Sequence, residues 1–397
     1  MNSFTDELNR RLVALREQNL FRELRRVDSA QGRRITIGGK KFLNFSSNDY
    51  LGLANHPALK AAAIRAVEKF GAGAGASRLV CGSLAPFHEL EESLADFKKA
   101  EAALAFSTGY AAALGTITAL ASKDDIIIID KLVHACVVDA AKLSGAKLRV
   151  FAHNDLNDLE DKLKWANSTA RHSSPVTRHI LIVTESIFSM DGDAAPLREM
   201  VALKEKYGAW LMVDEAHATG IIGKNGRGLA DELGVSGQIE IQMGTLGKAL
   251  GAGGGYICGG RTLIDFLVNR ARSFIFSTAP VPAAAAAATA GIKLVQAAEG
   301  ESLRSQLRQR ATEITSALRN PHSAIAGAIV PLILGDETKA VAAAAKLRRQ
   351  NIFVPAIRYP TVARGAARLR VTLTAAHTAA EISTLAHALD QIVNPKS

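Results

Sequence analysis

Lys248 lies in the run Gly244-Thr245-Leu246-Gly247-Lys248-Ala249-Leu250-Gly251-Ala252-Gly253-Gly254-Gly255, with a hydroxyl three residues before it and glycines on both sides. Such a loop has little side-chain bulk, so a flat ligand can lie directly over the amine. Lysine suits Schiff-base chemistry because desolvation or a neighbouring cation readily lowers its pKa. A solvated lysine in a flexible turn is the plain alternative. Upstream, the apolar run Trp210–Asp214 ends in Asp214-Glu215-Ala216-His217. An acid at a strand end with a histidine three residues on suits a metal pair, a triad fragment, or a partner for a ring nitrogen. No obvious third ligand stands nearby for a metal, and the absence of a G-x-S-x-G elbow weakens a hydrolase triad.

The third option fits both features. Pyridoxal phosphate chemistry needs a lysine for the Schiff base and a carboxylate that keeps the pyridinium nitrogen protonated. Asp214 followed by Lys248 supplies both. A phosphate needs donors, and Ser107-Thr108-Gly109-Tyr110 follows a strand candidate and opens a helix candidate, where free N–H groups and the helix dipole favour an anion. Capping alone would also explain that tetrapeptide. His134, at the next strand–helix junction, can stack on a planar ring beside Asp214 and Lys248; taken alone it reads as a buried, hydrogen-bonded histidine.

These groups require a scaffold that brings strand ends together. Short apolar runs alternate with helix-length segments from Ala102 onward: strand candidates are Ala102–Phe106, Ile126–Asp130, Leu148–Ala152, His179–Thr184, Trp210–Asp214, Ile239–Met243 and Gly255–Cys258. Helix candidates between them include Tyr110–Ala121, Val133–Leu143, Leu156–Trp165 and Leu197–Tyr207. That rhythm predicts an α/β fold, a mainly parallel sheet flanked by helices, with ligands beyond the carboxyl ends of the strands. The predicted large domain spans 45–285. After an alanine-rich helix, Ile329–Leu334, Ile352–Ile357 and Arg368–Thr374 read as strands and Ala340–Gln350 and Ala379–Val393 as helices, which predicts a smaller α+β domain over 286–397. Residues 1–44 are expected to pack on it, led by an amphipathic helix with Leu8, Leu12, Leu15 and Leu20 broadly on one face.

Composition narrows the classes. The chain has 397 residues, 48% of them hydrophobic and 22% charged, an ordinary globular mix. Its formal net charge of +10 belongs to the ends: residues 1–44 carry 10 basic and 5 acidic groups, and 301–397 carry 13 and 6. There is no dense basic block with interleaved aromatics, so nucleic acid is poorly supported as a partner. A phosphorylated small molecule or an acidic carrier protein accounts for the charge equally well. The three cysteines show no metal-ligand spacing and suit a reducing compartment. Neither an N-terminal apolar leader nor an uninterrupted membrane-length run is evident, so a cytoplasmic, membrane-free protein is expected.

Asp-x-x-His followed by T-x-G-K resembles the α-oxoamine synthase group of fold-type I pyridoxal-phosphate enzymes. The resemblance covers nearly the whole chain through Asn44–Leu53 (NFSSNDYLGL), Gly73–Arg78 (GAGASR), Thr184–Asp193 (TESIFSMDGD) and Arg368–His377 (RLRVTLTAAH). Ser46–Leu53 (SSNDYLGL), Ala152-His153-Asn154-Asp155 and Ala356–Val362 (AIRYPTV) point to the members that join L-alanine to a pimeloyl thioester in biotin biosynthesis, with release of CO2. A sister member using another amino acid and acyl group is the alternative. The resemblance implies Lys248 as the Schiff-base lysine and proton carrier, Asp214 as the pyridinium partner, His217 at the ring's phenolic oxygen and His134 over the ring. It implies Gly109, Tyr110 and Thr245 at the phosphate, Ser189 near the ring, and Thr278 reaching the phosphate of a second copy, so that a homodimer shares its sites. Arg370 would bind the amino acid's carboxylate, with Arg368 as its rival two residues away on the same strand face. Arg22 and Thr361 would contact substrate, and Asn48 and Glu185 join the site with weaker claims. The acyl donor would be pimeloyl-CoA or a pimeloyl-carrier protein. Three positions depart from the group's pattern: Ala363 for a usual proline, Ala113 for a commonly polar residue and Tyr110 for phenylalanine. Ala363 bears on the loop holding Thr361, and so on acyl preference.

Overall fold

The computed structural model describes residues 3–170, 179–318 and 326–393. The chain forms two compact units, one made of Met1–Asn48, Met190–Gly192 and Gln306–Ser397, the other of Asp49–Ser189 and Asp193–Ser305.

The larger unit is built on a seven-stranded sheet whose strands lie in the order Ala102–Phe106, Gly255–Gly259, Ile241–Thr245, Trp210–Asp214, Ile180–Glu185, Ile126–Asp130, Lys147–Phe151. All neighbours are parallel except where Gly255–Gly259 meets its two partners. The exception has a simple cause: the loop from Thr245 to Gly255 is too short for a crossover helix, so the chain must turn back on itself. Helices cover both faces, which is why central strands read as unbroken apolar runs. Ile126, Ile127, Ile128 and Ile129 are at most 2% exposed, each worth roughly 1.5–3 kcal/mol of burial. Two strands reach further than expected, to Glu185 and Thr245, which puts both residues at the sheet's carboxyl edge. The helix Pro282–Gln296 packs against Pro57–Phe70 and Ala85–Lys98, which places it in this unit, and the unit runs to Ser305, past the expected bound at 285.

The smaller unit holds two three-stranded sheets. Lys40–Asn44 lies between Arg34–Ile37 and Ile352–Phe353, and Ala367–Thr372 lies between Ile329–Gly335 and Ala356–Ile357. The expected single strand Ile352–Ile357 is thus two short strands in different sheets. Pro355, which has no N–H for a ladder, stands at the break. The N-terminal helix Ser3–Glu17 ends before Leu20 and buries none of its residues, whereas Leu20 itself is buried beyond it. Among the described residues, no helix is long and apolar enough to cross a membrane.

Candidate active site

Lys248 is held by a tight loop. Leu246 N–H donates to Gly254 O at 2.9 Å, Ala252 N–H to Leu246 O at 2.9 Å, and Gly251 N–H to Lys248 O at 2.9 Å. Gly251 has φ +67°, and a Cβ there would come within 2.6 Å of the Leu53 backbone. Glycine therefore seats this loop against the turn Asp49–Ala54, which Asp49 closes by accepting from Leu53 N–H at 2.7 Å and Ala54 N–H at 3.1 Å. The same turn presents Tyr50. Its hydroxyl lies 2.6 Å from His217 Nδ1, and His217 Nε2 lies 2.8 Å from Lys248 Nζ. Tyr50, His217 and Lys248 are thus linked in one hydrogen-bonded chain.

Asp214 and Glu185 end adjacent parallel strands and are register partners. Both are buried, and burial pushes both carboxyls above their ordinary range; the neighbouring Asp214 charge adds to the rise at Glu185, to about 8, and Lys248 opposes it at both. Asp214 Oδ1 accepts from Ala216 N–H at 2.9 Å. Glu185 Oε2 accepts from Ser189 N–H at 3.1 Å, while its Oε1 is buried with no partner. His134 caps the helix Ala135–Ser144, its Nδ1 accepting from Cys136 N–H at 3.2 Å. Burial holds the imidazole below its usual pKa, so the ring is neutral near pH 7 with its proton on Nε2.

At the opposite end, Thr108 caps the helix Gly109–Leu120, with Oγ1 accepting from Ala111 N–H at 3.0 Å. The first N–H groups of that helix have no partner inside it. Gly255 lets the neighbouring strand approach them, since a Cβ there would sit 2.5 Å from Gly109 N. Tyr110 turns its hydroxyl to Asp139 Oδ2 at 2.7 Å, which leaves its backbone as the group facing an anion.

Gly109, Tyr110, His134, Glu185, Asp214, His217, Thr245 and Lys248 line one cleft of about 530 Å³. These residues suit pyridoxal phosphate: an amine, a buried acid with raised pKa, a flat neutral imidazole and a helix N-terminus surround one space, and the lining Glu185 holds a buried carboxyl oxygen without a hydrogen-bond partner. Ser189 lies behind this lining, bonded to Glu185. Thr278 is elsewhere; it bridges to Ser77 and lines a separate cleft with Ser107 and Arg78.

The substrate candidates Arg22, Asn48, Thr361 and Arg370 belong to the smaller unit. Arg22 Nη2 donates to Thr361 Oγ1 at 3.4 Å. Arg370 donates to Asn48 Oδ1 and Thr372 Oγ1, each at 3.0 Å. Arg368 is committed to an ion pair with Asp191 at 2.6 Å and also bonds Met190 O. Arg368 thus has a carboxylate partner, while the contacts of Arg370 include an amide oxygen and a hydroxyl.

Tyr50 escaped the sequence reading as a site residue. It sits within Asn44–Leu53, but its partner is 167 positions away, and only the folded chain joins them.

The family model for class I and II aminotransferases matches residues 40–389. The 8-amino-7-oxononanoate synthase of Geotalea daltonii is 46% identical over 98% of both chains, and that of Thermoanaerobacter pseudethanolicus is 42% identical over 98% of this chain and 96% of its own. Among solved structures, serine palmitoyltransferase from S. paucimobilis with a bound PLP–myriocin adduct superposes with a TM-score of 0.90 at 30% identity, covering 99% of this chain and 98% of that one. An 8-amino-7-oxononanoate synthase from Francisella tularensis gives 0.74 at 29%, covering 89% and 97%. Backbone similarity is thus common to enzymes of different substrates, and the sequence relatives discriminate more finely. The chain belongs to the class I and II aminotransferase family, in its 8-amino-7-oxononanoate synthase branch.

Proposed function

We infer that this chain condenses L-alanine with a pimeloyl thioester to give 8-amino-7-oxononanoate, the free thiol and CO2. The observation that carries the reading is the meeting of Lys248, Asp214 and His134 in one cleft closed by a helix N-terminus. Pyridoxal phosphate, when bound, supplies the electron sink for the pair left when alanine loses its Cα proton.

The chain's own residues do the rest. Asp214 would hold the ring nitrogen, His134 would lie on the ring face, and His217 would serve both the phenolic oxygen and Lys248. Gly109, Tyr110 and Thr245 would hold the phosphate through backbone N–H groups and a hydroxyl, and Glu185 with Ser189 would complete the wall. Lys248 Nζ is the proton carrier: it takes the Cα proton from alanine and returns one after CO2 has left. His217, steadied by Tyr50, keeps that amine directed. Arg370, assisted by Asn48, would hold the amino acid's carboxylate, and Arg22 and Thr361 would meet the acyl substrate. Thr278 lies outside its own chain's cleft, which accords with service to the phosphate of a second copy in a homodimer. A cytoplasmic setting belongs to the same proposal, supported by three free cysteines.

The test is product identification by mass spectrometry with L-alanine, glycine or L-serine against pimeloyl-, acetyl- and palmitoyl-CoA. Selective formation of 8-amino-7-oxononanoate is expected. A preference for glycine with acetyl-CoA, or serine with palmitoyl-CoA, would move the chain to a sister activity.

A further inference from the structure

The run Ala152-His153-Asn154-Asp155 stands outside the lining of the cleft, yet two of its side chains join loops that carry site residues. His153 Nδ1 lies 3.1 Å from Asp130 Oδ1, and His153 Nε2 lies 2.8 Å from Asp193 Oδ2. Carboxylate oxygens only accept, so both ring nitrogens donate and the ring is an imidazolium. Burial opposes that charge, but the hydrogen bonds and charges of Asp130 and Asp193 overcome it and lift the imidazole to about 10. Among the described residues, those two carboxylates are the charged groups that act on the ring, and Phe188 packs perpendicular to it with centroids 4.3 Å apart. Asn154 repeats the link. Its N–H donates to Asp130 Oδ2 at 2.9 Å, and its Nδ2 donates to Asp193 Oδ2 at 3.0 Å and Ala194 O at 3.1 Å. It does so from φ +56°, a left-handed backbone that asparagine tolerates better than most residues.

Both anchors lead into the site. Asp130 ends its strand, and its Oδ1 also accepts from Leu132 N–H at 2.7 Å, closing the turn that leads to His134. Asp193 lies on the returning limb of a hairpin: its backbone oxygen accepts from Phe188 N–H at 3.0 Å, and the next residue, Ala194, bridges to Ile187. The outgoing limb carries Glu185 and Ser189.

We propose that His153 is a positioning residue for the cofactor site: with Asn154 it ties the turn bearing His134 to the limb bearing Glu185 and Ser189, and so fixes the groups that face the ring relative to one another. The inference rests on the reading above, which puts the cofactor beside His134 and Ser189. Charge-assisted bonds to two carboxylates are the strong kind, and each anchor is itself bonded into the loop it serves. Precision at this point has leverage, since misplacing a reacting or orienting group by about 1 Å can cost about a hundredfold in rate.

The experiment uses the full-length enzyme. Cofactor affinity is read by titrating protein freed of pyridoxal phosphate, ring orientation by visible circular dichroism of the loaded enzyme, and rates by steady-state kinetics with L-alanine and pimeloyl-CoA. His153→Phe keeps a ring against Phe188 and removes both donors. Its cofactor affinity and kcat should each fall about tenfold or more, with altered dichroism, while KM for both substrates stays within about twofold of the parent. His153→Gln keeps one donor and should lose less. Adding Asp193→Asn to His153→Phe should recover part of the loss, because a carboxylate without its cation is removed. A lower melting temperature alone, with cofactor affinity, dichroism and kcat at parent values, would overturn the proposal. The parent supplies a measurement that does not depend on how His153→Phe folds: nitrogen NMR of its histidines, with His153→Gln identifying the signal, should show both ring nitrogens protonated near pH 8. A neutral ring there would overturn the proposal as well. Cofactor affinity and dichroism that depend on His153 in an enzyme making no product from alanine and pimeloyl-CoA would uphold the positioning role while removing the reaction assigned above.

Discussion

The Tyr50 hydroxyl and His217 Nδ1 stand 2.6 Å apart in a buried setting, while the other nitrogen of His217 stands 2.8 Å from Lys248 Nζ. One phenol therefore sets the orientation of the imidazole that directs the reactive amine. Tyr50→Phe keeps the ring packing and deletes the hydroxyl. A fall in kcat of about tenfold is expected, the equivalent of one buried hydrogen bond, with cofactor still bound. Steady-state rates together with the cofactor's visible spectrum decide it. An unchanged kcat would leave Tyr50 a packing residue.

His134 joins two tasks that can be separated. Its Nδ1 caps the helix Ala135–Ser144, and its ring lines the cleft. Asparagine is a good cap without a flat aromatic face, whereas alanine is neither. Thermal unfolding should show His134→Ala less stable by about 1 kcal/mol and His134→Asn nearly unchanged. Turnover should fall strongly in both. Activity surviving in the asparagine variant would confine His134 to capping.

Glu185 makes stability depend on pH. Its folded pKa of about 8 lies above the ordinary 4.5, so between these values the folded state binds more protons than the unfolded state. Its contribution is present in full below about 4.5 and is lost as pH rises toward 8. Glu185→Gln keeps an acceptor for Ser189 N–H and removes the titration. Melting temperatures of parent and variant should diverge across that window, the variant gaining as pH rises. Parallel curves would show that Glu185 titrates near its ordinary value.

Arg368 is already paired with Asp191, whereas Arg370 is proposed for the substrate carboxylate, and their variants should differ accordingly. Arg370→Ala is expected to raise KM for L-alanine roughly 10- to 150-fold, the scale of a lost charged hydrogen bond, with a smaller change in acyl-donor KM. Arg368→Ala removes the ion pair with Asp191 and should appear chiefly as lost stability. The reverse pattern would exchange their roles.

Much of this was legible in the sequence where local pattern and tertiary structure agree. Trp210–Asp214 is apolar because it is buried on both faces, and its terminal acid falls at the carboxyl edge where a parallel sheet places ligands. The other central strands formed for the same reason, whereas Lys147–Phe151 is an edge strand with only its last residue buried. Features set by pairing were not legible. Glu185 lies beside Asp214 through strand register, and Tyr50 meets His217 through the seating of one loop on another. The division of Ile352–Ile357 between two sheets depends on partners far along the chain, although Pro355 marks the break. That the helix Pro282–Gln296 belongs to the large unit follows from packing that composition does not encode.

The central claim is that Lys248 carries the Cα proton of alanine. In deuterium oxide with L-alanine and no acyl donor, proton NMR follows exchange at Cα. The parent enzyme should wash deuterium into that position, and Lys248→Ala, loaded with cofactor, should do so at least about a thousandfold more slowly, as befits removal of the proton-transfer group. Exchange by the variant at the parent's rate would contradict the account.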